Sequence, residues 1–202
     1  MKTKNYIPVI VALFSMYACT PKKAQEEKSE EATKEIVYDV AAAQIKWTAF
    51  KLTERVGVSG TFDEVAVIAG GEGAVESVLT DGSFSINTSS VNSNEATRDP
   101  KIKESFFGTF NTPAIEGKIV SADAGSGELS LMMNDTTSAV PFSYITNDST
   151  LILTASIDVT NWNGGAAIDS LNSVCELLHK GSDGVSKLWP DVTVQVTIPA
   201  KK

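Results

Sequence analysis

The chain has 202 residues, a net charge of −8, two cysteines and one histidine. The acidic balance excludes the basic face that a nucleic-acid partner requires. The single histidine, His179, excludes an all-histidine metal cluster and leaves nucleophilic triad chemistry only one base.

The N-terminus has the layout of a secretory signal peptide. Lys2 and Lys4 precede a mostly apolar run from Tyr6 to Tyr17, and Ala18-Cys19 follows it. The run is shorter than the ~20 apolar residues needed to span a bilayer as a helix. A cysteine behind a small residue at that point is the residue that bacterial lipoprotein processing acylates, so residues 1–18 are expected to be removed and Cys19 to carry lipid. Met16 and Tyr17 depart from the usual residues before such a cysteine. With Cys19 lipidated, Cys175 stands alone and no intramolecular disulfide is expected. Residues 19–35 are charged, with almost no large apolar side chain, and are expected to form a solvated tether.

The domain is expected over residues 36–202. Ile45, Trp47 and Ala49 alternate with Lys46 and Thr48, a period of two that predicts a strand. Val56 to Phe62 and Val65 to Ile68 predict two more. Ala74 to Leu79 and Ser83 to Thr88, on either side of Asp81-Gly82, predict a hairpin. Further strands are predicted over 114–121, 127–133, 139–145, 151–159 and 192–198, with Gly, Asp and Asn at the joints. Many short alternating strands make the domain a sandwich or a barrel.

Two stretches break the pattern. Residues 95–110 are polar, then aromatic, with a helical turn predicted after Pro100. Residues 166–180 place Ile168, Leu171, Val174, Cys175 and Leu178 at helical spacing, with Gly181 as the C-cap of one amphipathic helix.

The chain resembles the YceI-like family of periplasmic, lipocalin-like barrels. Gln44 to Ala49 resembles its opening strand and Val58 to Phe62 its second. Ser83 to Val91, followed by Asn94 to Asp99 with its Arg98-Asp99 pair, resembles a third segment, and Ser105-Phe106-Phe107 with Pro113 a fourth. Gly127-Glu128-Leu129 and Ala155 to Asn161 resemble late strands. Met132 to Thr137, Thr160 to Gly164 and the inserted helix depart from the family pattern. These departures bear on ligand identity more than on fold. The resemblance implies an all-β, antiparallel, up-and-down barrel of about eight strands, whose apolar lumen binds a polyisoprenoid or another long-chain lipid.

Trp47, Phe62, Phe84, Ile86, Phe106, Phe107 and Phe110 are the candidates to line such a lumen, each with core packing as its alternative role. Phe106, Phe107 and Phe110 lie outside a clean strand and are expected at the mouth. Arg98-Asp99 reads either as a headgroup contact or as a local ion pair. Trp162 and Trp189 bracket the helix and are expected to pack it against the barrel end or to line the opening. No constellation supplies nucleophile, base and orienter, so no catalytic residue, metal site or cofactor is assigned, apart from a bound isoprenoid or fatty-acyl ligand. The expected protein is a non-enzymatic lipoprotein of the bacterial cell envelope, periplasm-facing or at the cell surface. It is tethered to a membrane by lipid and partnered by an apolar small molecule or lipid. Protein partners stay open, a homodimer among them. The alternative is an interaction or structural module with a filled barrel.

Overall fold

The computed structural model describes residues 36–70, 72–80, 82–147 and 149–201. The expected signal peptide, the tether and Cys19 lie outside the described residues. All described residues belong to one unit, Lys34–Lys202.

The described strands are β1 (Tyr38–Asp39), β2 (Gln44–Lys51), β3 (Val56–Phe62), β4 (Val65–Ala69), β5 (Glu72–Gly73), β6 (Ser83–Asn87), β7 (Val91–Asn92), β8 (Ala114–Asp123), β9 (Ser126–Met133), β10 (Thr136–Thr146), β11 (Thr150–Asp158) and β12 (Leu188–Pro199). β1 and β5 form a separate two-stranded sheet. The other ten form one antiparallel sheet in the order β4-β6-β8-β9-β10-β11-β12-β2-β3-β7.

The sheet curls on itself, and its two ends are joined by the chain. β3 runs into β4 through Asp63 and Glu64, and β6 runs into β7 through a 3₁₀ turn at Thr88–Ser90. β3 pairs with β2 and β7, while β4 pairs with β6. Counting each bent pair as one strand gives the eight staves of an up-and-down barrel. The bend is stitched by Asp63 N donating to Ser90 O at 3.0 Å, Asn87 N to Glu64 O at 3.1 Å and Glu64 N to Ser90 Oγ at 3.0 Å.

Three inward aromatics sit directly across a strand pair from a glycine: Trp47 from Gly60, Phe84 from Gly117, Phe142 from Gly127. The missing side chain is what admits the ring. A Cβ on Gly60 would lie 2.3 Å from Trp47 Cζ2 and 2.6 Å from the Asn92 carbonyl oxygen. Alternation thus buries large rings without widening the wall.

The segment Ala74 to Leu79, expected as a strand, is instead the short helix α1 (Val75–Leu79). Val75, Val78 and Leu79 follow a helical period. Val78 and Leu79 are buried with Tyr38, Leu151 and Ile198 in a cluster that closes one end of the barrel. The predicted partner strand exists as β6, but it pairs with β4 and β8.

At the opposite end, residues 99–110 form one helical run: α2 (Asp99–Lys101), a π-helical stretch Ile102–Phe107, and α3 (Gly108–Phe110). Asn111, left-handed at φ 50°, ends it. The helix expected over 166–180 is two helices, α4 (Gly165–Val174) and α5 (Glu176–His179), broken at Cys175 (φ −113°, ψ 17°). The apolar stripe loses contact with the barrel at the end of α4 and beyond the break. Ile168 and Leu171 face the barrel, whereas Val174 and Leu178 are 51% and 59% exposed. Gly181 is not left-handed, and the loop turns at Gly184 with φ 77°.

Candidate functional site: an apolar lumen with a cationic mouth

The interior holds two adjoining chambers of about 180 and 140 Å³. The inner chamber rises from the closed end, at Val40, Val78, Leu79 and Ile198, past Phe84 and Ile86. The outer one is capped by Phe106, Phe107 and Phe110, with Ile168, Leu171 and Trp189 beside them. Trp47, Phe62, Met133, Ile157 and Val194 line both, so the two meet at this ring of side chains. The linings are almost wholly apolar. Each chamber is on the scale of the ~150 Å³ apolar cavity that stays dry and takes up a benzene-sized guest.

The structure brings all seven candidate lining residues together around this space. Trp47, Phe62, Phe84 and Ile86 line the inner chamber, and Phe106, Phe107 and Phe110 the outer. Trp47 donates from Nε1 to Thr61 O at 3.1 Å, which satisfies its one polar atom inside the wall. Phe107 contacts Phe62 with ring centroids 6.1 Å apart, and Phe106 bridges Phe107 and Phe110 at 5.1 and 5.5 Å. Phe106 and Phe107 are half-buried at the mouth, as expected of them. Phe110 departs from that expectation: at 2% exposure it belongs to a buried cluster with Leu131, Met133, Val140, Trp162 and Ala167. Its position at the end of the run, next to the left-handed Asn111, sends its ring inward.

Polar contacts fix the aromatic run to the rim. Thr112 Oγ1 accepts from Asn134 N at 2.8 Å and donates to Phe110 O at 3.2 Å, and Thr88 Oγ1 donates to Thr112 O at 2.6 Å. Asn134 and Asp135, both at positive φ (47° and 53°), make the tight β9–β10 turn. The unusual Met132 to Thr137 segment is that turn. Trp162 is packed against the barrel, 1% exposed, with Nε1 donating to Leu131 O at 2.9 Å. Trp189 lines the opening and donates to Leu52 O at 2.8 Å.

Outside the outer chamber lies a third cavity of about 230 Å³, sharing Trp47, Ala49, Ile102, Leu171 and Leu188 with it. This vestibule is lined by Lys51, Arg98, Lys101, Glu95, Cys175 and His179 among others. The Arg98-Asp99 pair is not an ion pair. Asp99 Oδ1 accepts from Ser93 N at 2.9 Å and from Ser93 Oγ at 2.6 Å. His179 donates from Nδ1 to Asn172 Oδ1 at 2.9 Å, the amide oxygen being able only to accept. Burial, together with the charges of Lys51 and Lys101, pushes the His179 imidazole down to about 4. Lys51 and Lys101 carried no signal in the sequence, because strand and helix periodicity reads only where apolar residues fall.

A family model for the YceI-like domain matches residues 36–200, and the chain belongs to that family. No curated protein sequence matches the chain. Among solved structures, the fold is similar to that of a polyisoprenoid binding domain from Saccharophagus degradans implicated in plant cell wall breakdown. That likeness has a TM-score of 0.55 and 12% identity over 82% of this chain and 97% of that one. It is also similar to Burkholderia cenocepacia BcnA, with a TM-score of 0.50 and 12% identity over 81% of this chain and 99% of that one.

Proposed function

We propose that this YceI-like chain is a non-enzymatic carrier that holds a long apolar amphiphile, a polyisoprenoid or other lipid, in its barrel. It is held at a membrane of the bacterial envelope by lipid on Cys19. The observation that carries the reading is the pair of adjoining apolar chambers ringed by Trp47, Phe62, Phe84 and Phe107. The polyisoprenoid binding of the Saccharophagus relative supports it. At about 0.8 kcal/mol per buried methylene, a fifteen-carbon chain gains on the order of 12 kcal/mol gross. Association costs roughly 4–15 kcal/mol of that, so the chain supplies occupancy and little surplus.

The test is organic extraction of the purified protein with mass spectrometry, paired with the Ala155→Phe variant. Ala155 lines the inner chamber, and a ring there fills it. A co-purifying long-chain lipid, lost in a variant that still unfolds cooperatively, is the expected result. An empty protein that takes up no added farnesol would sink the reading. For the anchor, fatty-acid labelling should disappear and the chain should leave the membrane fraction in Cys19→Ala. A Cys19→Ala chain that survives carbonate washing on the membrane would refute it.

A contact module for another envelope protein is the second reading, favoured by exposed apolar side chains on and beside α5: Leu177 at 86%, Leu178 at 59% and Val174 at 51%. A cross-link placed at Leu177 that captures one defined partner, abolished by deleting 166–180, is its test.

A further inference from the structure

We infer that the vestibule is a headgroup site, and that the ligand this chain selects is an anionic amphiphile carrying a phosphate or carboxylate at the mouth end of its chain. The inference rests on the carrier reading above and adds the class of ligand.

The argument begins with charge. The protein is acidic overall, and three cations elsewhere meet carboxylates: Arg55 with Asp191, Lys180 with Glu176, Lys201 with Glu72. The vestibule reverses this. Lys51, Arg98 and Lys101 line it and are half-buried. Among the described residues, the side chains of Arg98 and Lys101 make no hydrogen bond or salt bridge, and Lys51 Nζ reaches only the Leu178 carbonyl, at 3.0 Å. The nearby carboxylates spend their hydrogen bonds elsewhere, although Glu95 lies close enough to feel the charge of Arg98. Asp99 is held by Ser93, and Glu95 Oε1 accepts from Thr97 N at 3.1 Å and Oγ1 at 2.9 Å. Three cations gathered without a salt bridge around one cavity repel one another, and the single Glu95 does not balance them, so an anion is what the arrangement lacks.

Position supplies the second half. Trp47 lines both apolar chambers and the vestibule, so one molecule can lay its chain along the lumen and leave its head among the cations. Arginine forks match phosphate and carboxylate oxygens, while lysine acts as a point charge. Glu95, on the same rim, is outnumbered by Lys51, Arg98 and Lys101, so the net field of the cavity still favours an anionic head over a cationic one.

The test uses the full chain, purified and delipidated, with three probes of equal chain length: farnesyl phosphate, farnesol and farnesylamine, titrated by calorimetry. Farnesyl phosphate is expected to bind at least tenfold tighter than farnesol, and the amine weakest. The ratio of phosphate to alcohol affinity should fall to within about twofold in Arg98→Gln/Lys101→Gln, whose folding is checked by its thermal transition, and should shrink as salt is raised. Equal affinities in the parent chain, a preferred amine, or a ratio that survives in the double variant would each overturn the headgroup site. Inorganic phosphate competing at the same concentration as farnesyl phosphate would reduce the vestibule to a free-anion site and overturn it too. If none of the three probes binds a folded chain, the carrier reading itself fails, a result distinct from binding without preference for charge.

Discussion

The two ends of the barrel solve opposite problems. The closed end is a plug: Tyr38, Val78, Leu79, Leu151 and Ile198 are each under 5% exposed and fill the space between β1, α1 and the sheet. The mouth combines half-buried rings, a π-helical stretch, exposed leucines and cations without salt bridges. A lumen needs both. A packed floor stops water from crossing the barrel, and a looser rim lets a guest enter. The contrast teaches that stability and binding are assigned to different ends, and substitutions should separate them.

The largest effect is expected at the plug. Leu151 is fully buried, so Leu151→Ala removes its contacts and leaves a cavity, costing about 2–5 kcal/mol in chemical denaturation. The ratio of farnesyl phosphate to farnesol affinity should not change. A loss under ~1 kcal/mol would show the closed end to be as loose as the mouth.

Midway along the wall, Gly60→Ala forces a Cβ against both the Trp47 ring and a backbone oxygen. Overpacking of this kind costs roughly 1–3 kcal/mol. Because Trp47 borders all three cavities, the same change should also weaken farnesol binding. A variant with parental stability would mean that the wall flexes where Trp47 meets it.

How much of this was legible in the sequence follows from what a period reports. Strict alternation in Ile45-Lys46-Trp47-Thr48-Ala49 marks β2 and its inward face, and of the seven lumen candidates the strand residues Trp47, Phe62, Phe84 and Ile86 follow the same rule. Residues 74–79 misled because a short apolar run fits a strand or a helix equally, and only the need to plug a barrel end decides it. The break at Cys175 was hidden for a related reason. Helical spacing extends through 178, but nothing local marks the turn at Cys175, beyond which Leu178 is exposed. Phe106 and Phe107 were placed at the mouth by their lack of a strand pattern. The cationic vestibule was illegible, since it joins Lys51 of β2 to Arg98 and Lys101 across about a quarter of the chain, and only closure of the barrel brings them together.

The mouth should also carry the pH dependence. His179 stays neutral in the folded protein down to about pH 4, whereas the unfolded chain takes up its proton near pH 6.5. The unfolded state therefore binds more protons between these values. Stability is full above about pH 6.5 and declines as pH falls toward 4, by on the order of 1–3 kcal/mol. The groups facing it are Lys51 from β2, Lys101 and Arg98 from the α2 region, Glu95 from the preceding loop and Cys175 at the helix break. In His179→Gln that decline should flatten, as followed by urea denaturation at pH 4.5 and 7. An unchanged slope would place the acid sensitivity in the carboxylates.

The smallest effect is the most discriminating. If Arg98 and Lys101 served the fold, removing their charge would cost stability as a broken ion pair does. Neither forms a salt bridge among the described residues, and the charge of the exposed Glu95 is only a screened neighbour of Arg98, so Arg98→Gln/Lys101→Gln should move the unfolding free energy at pH 7 by less than ~0.5 kcal/mol. At pH 5 the sign should favour the variant, since Lys101 is one of the charges that hold His179 deprotonated, and its removal eases proton uptake by the folded state. A double variant destabilised by more than ~1 kcal/mol at pH 7 would show that the rim cations support packing, and the division between a structural floor and a binding mouth would then dissolve.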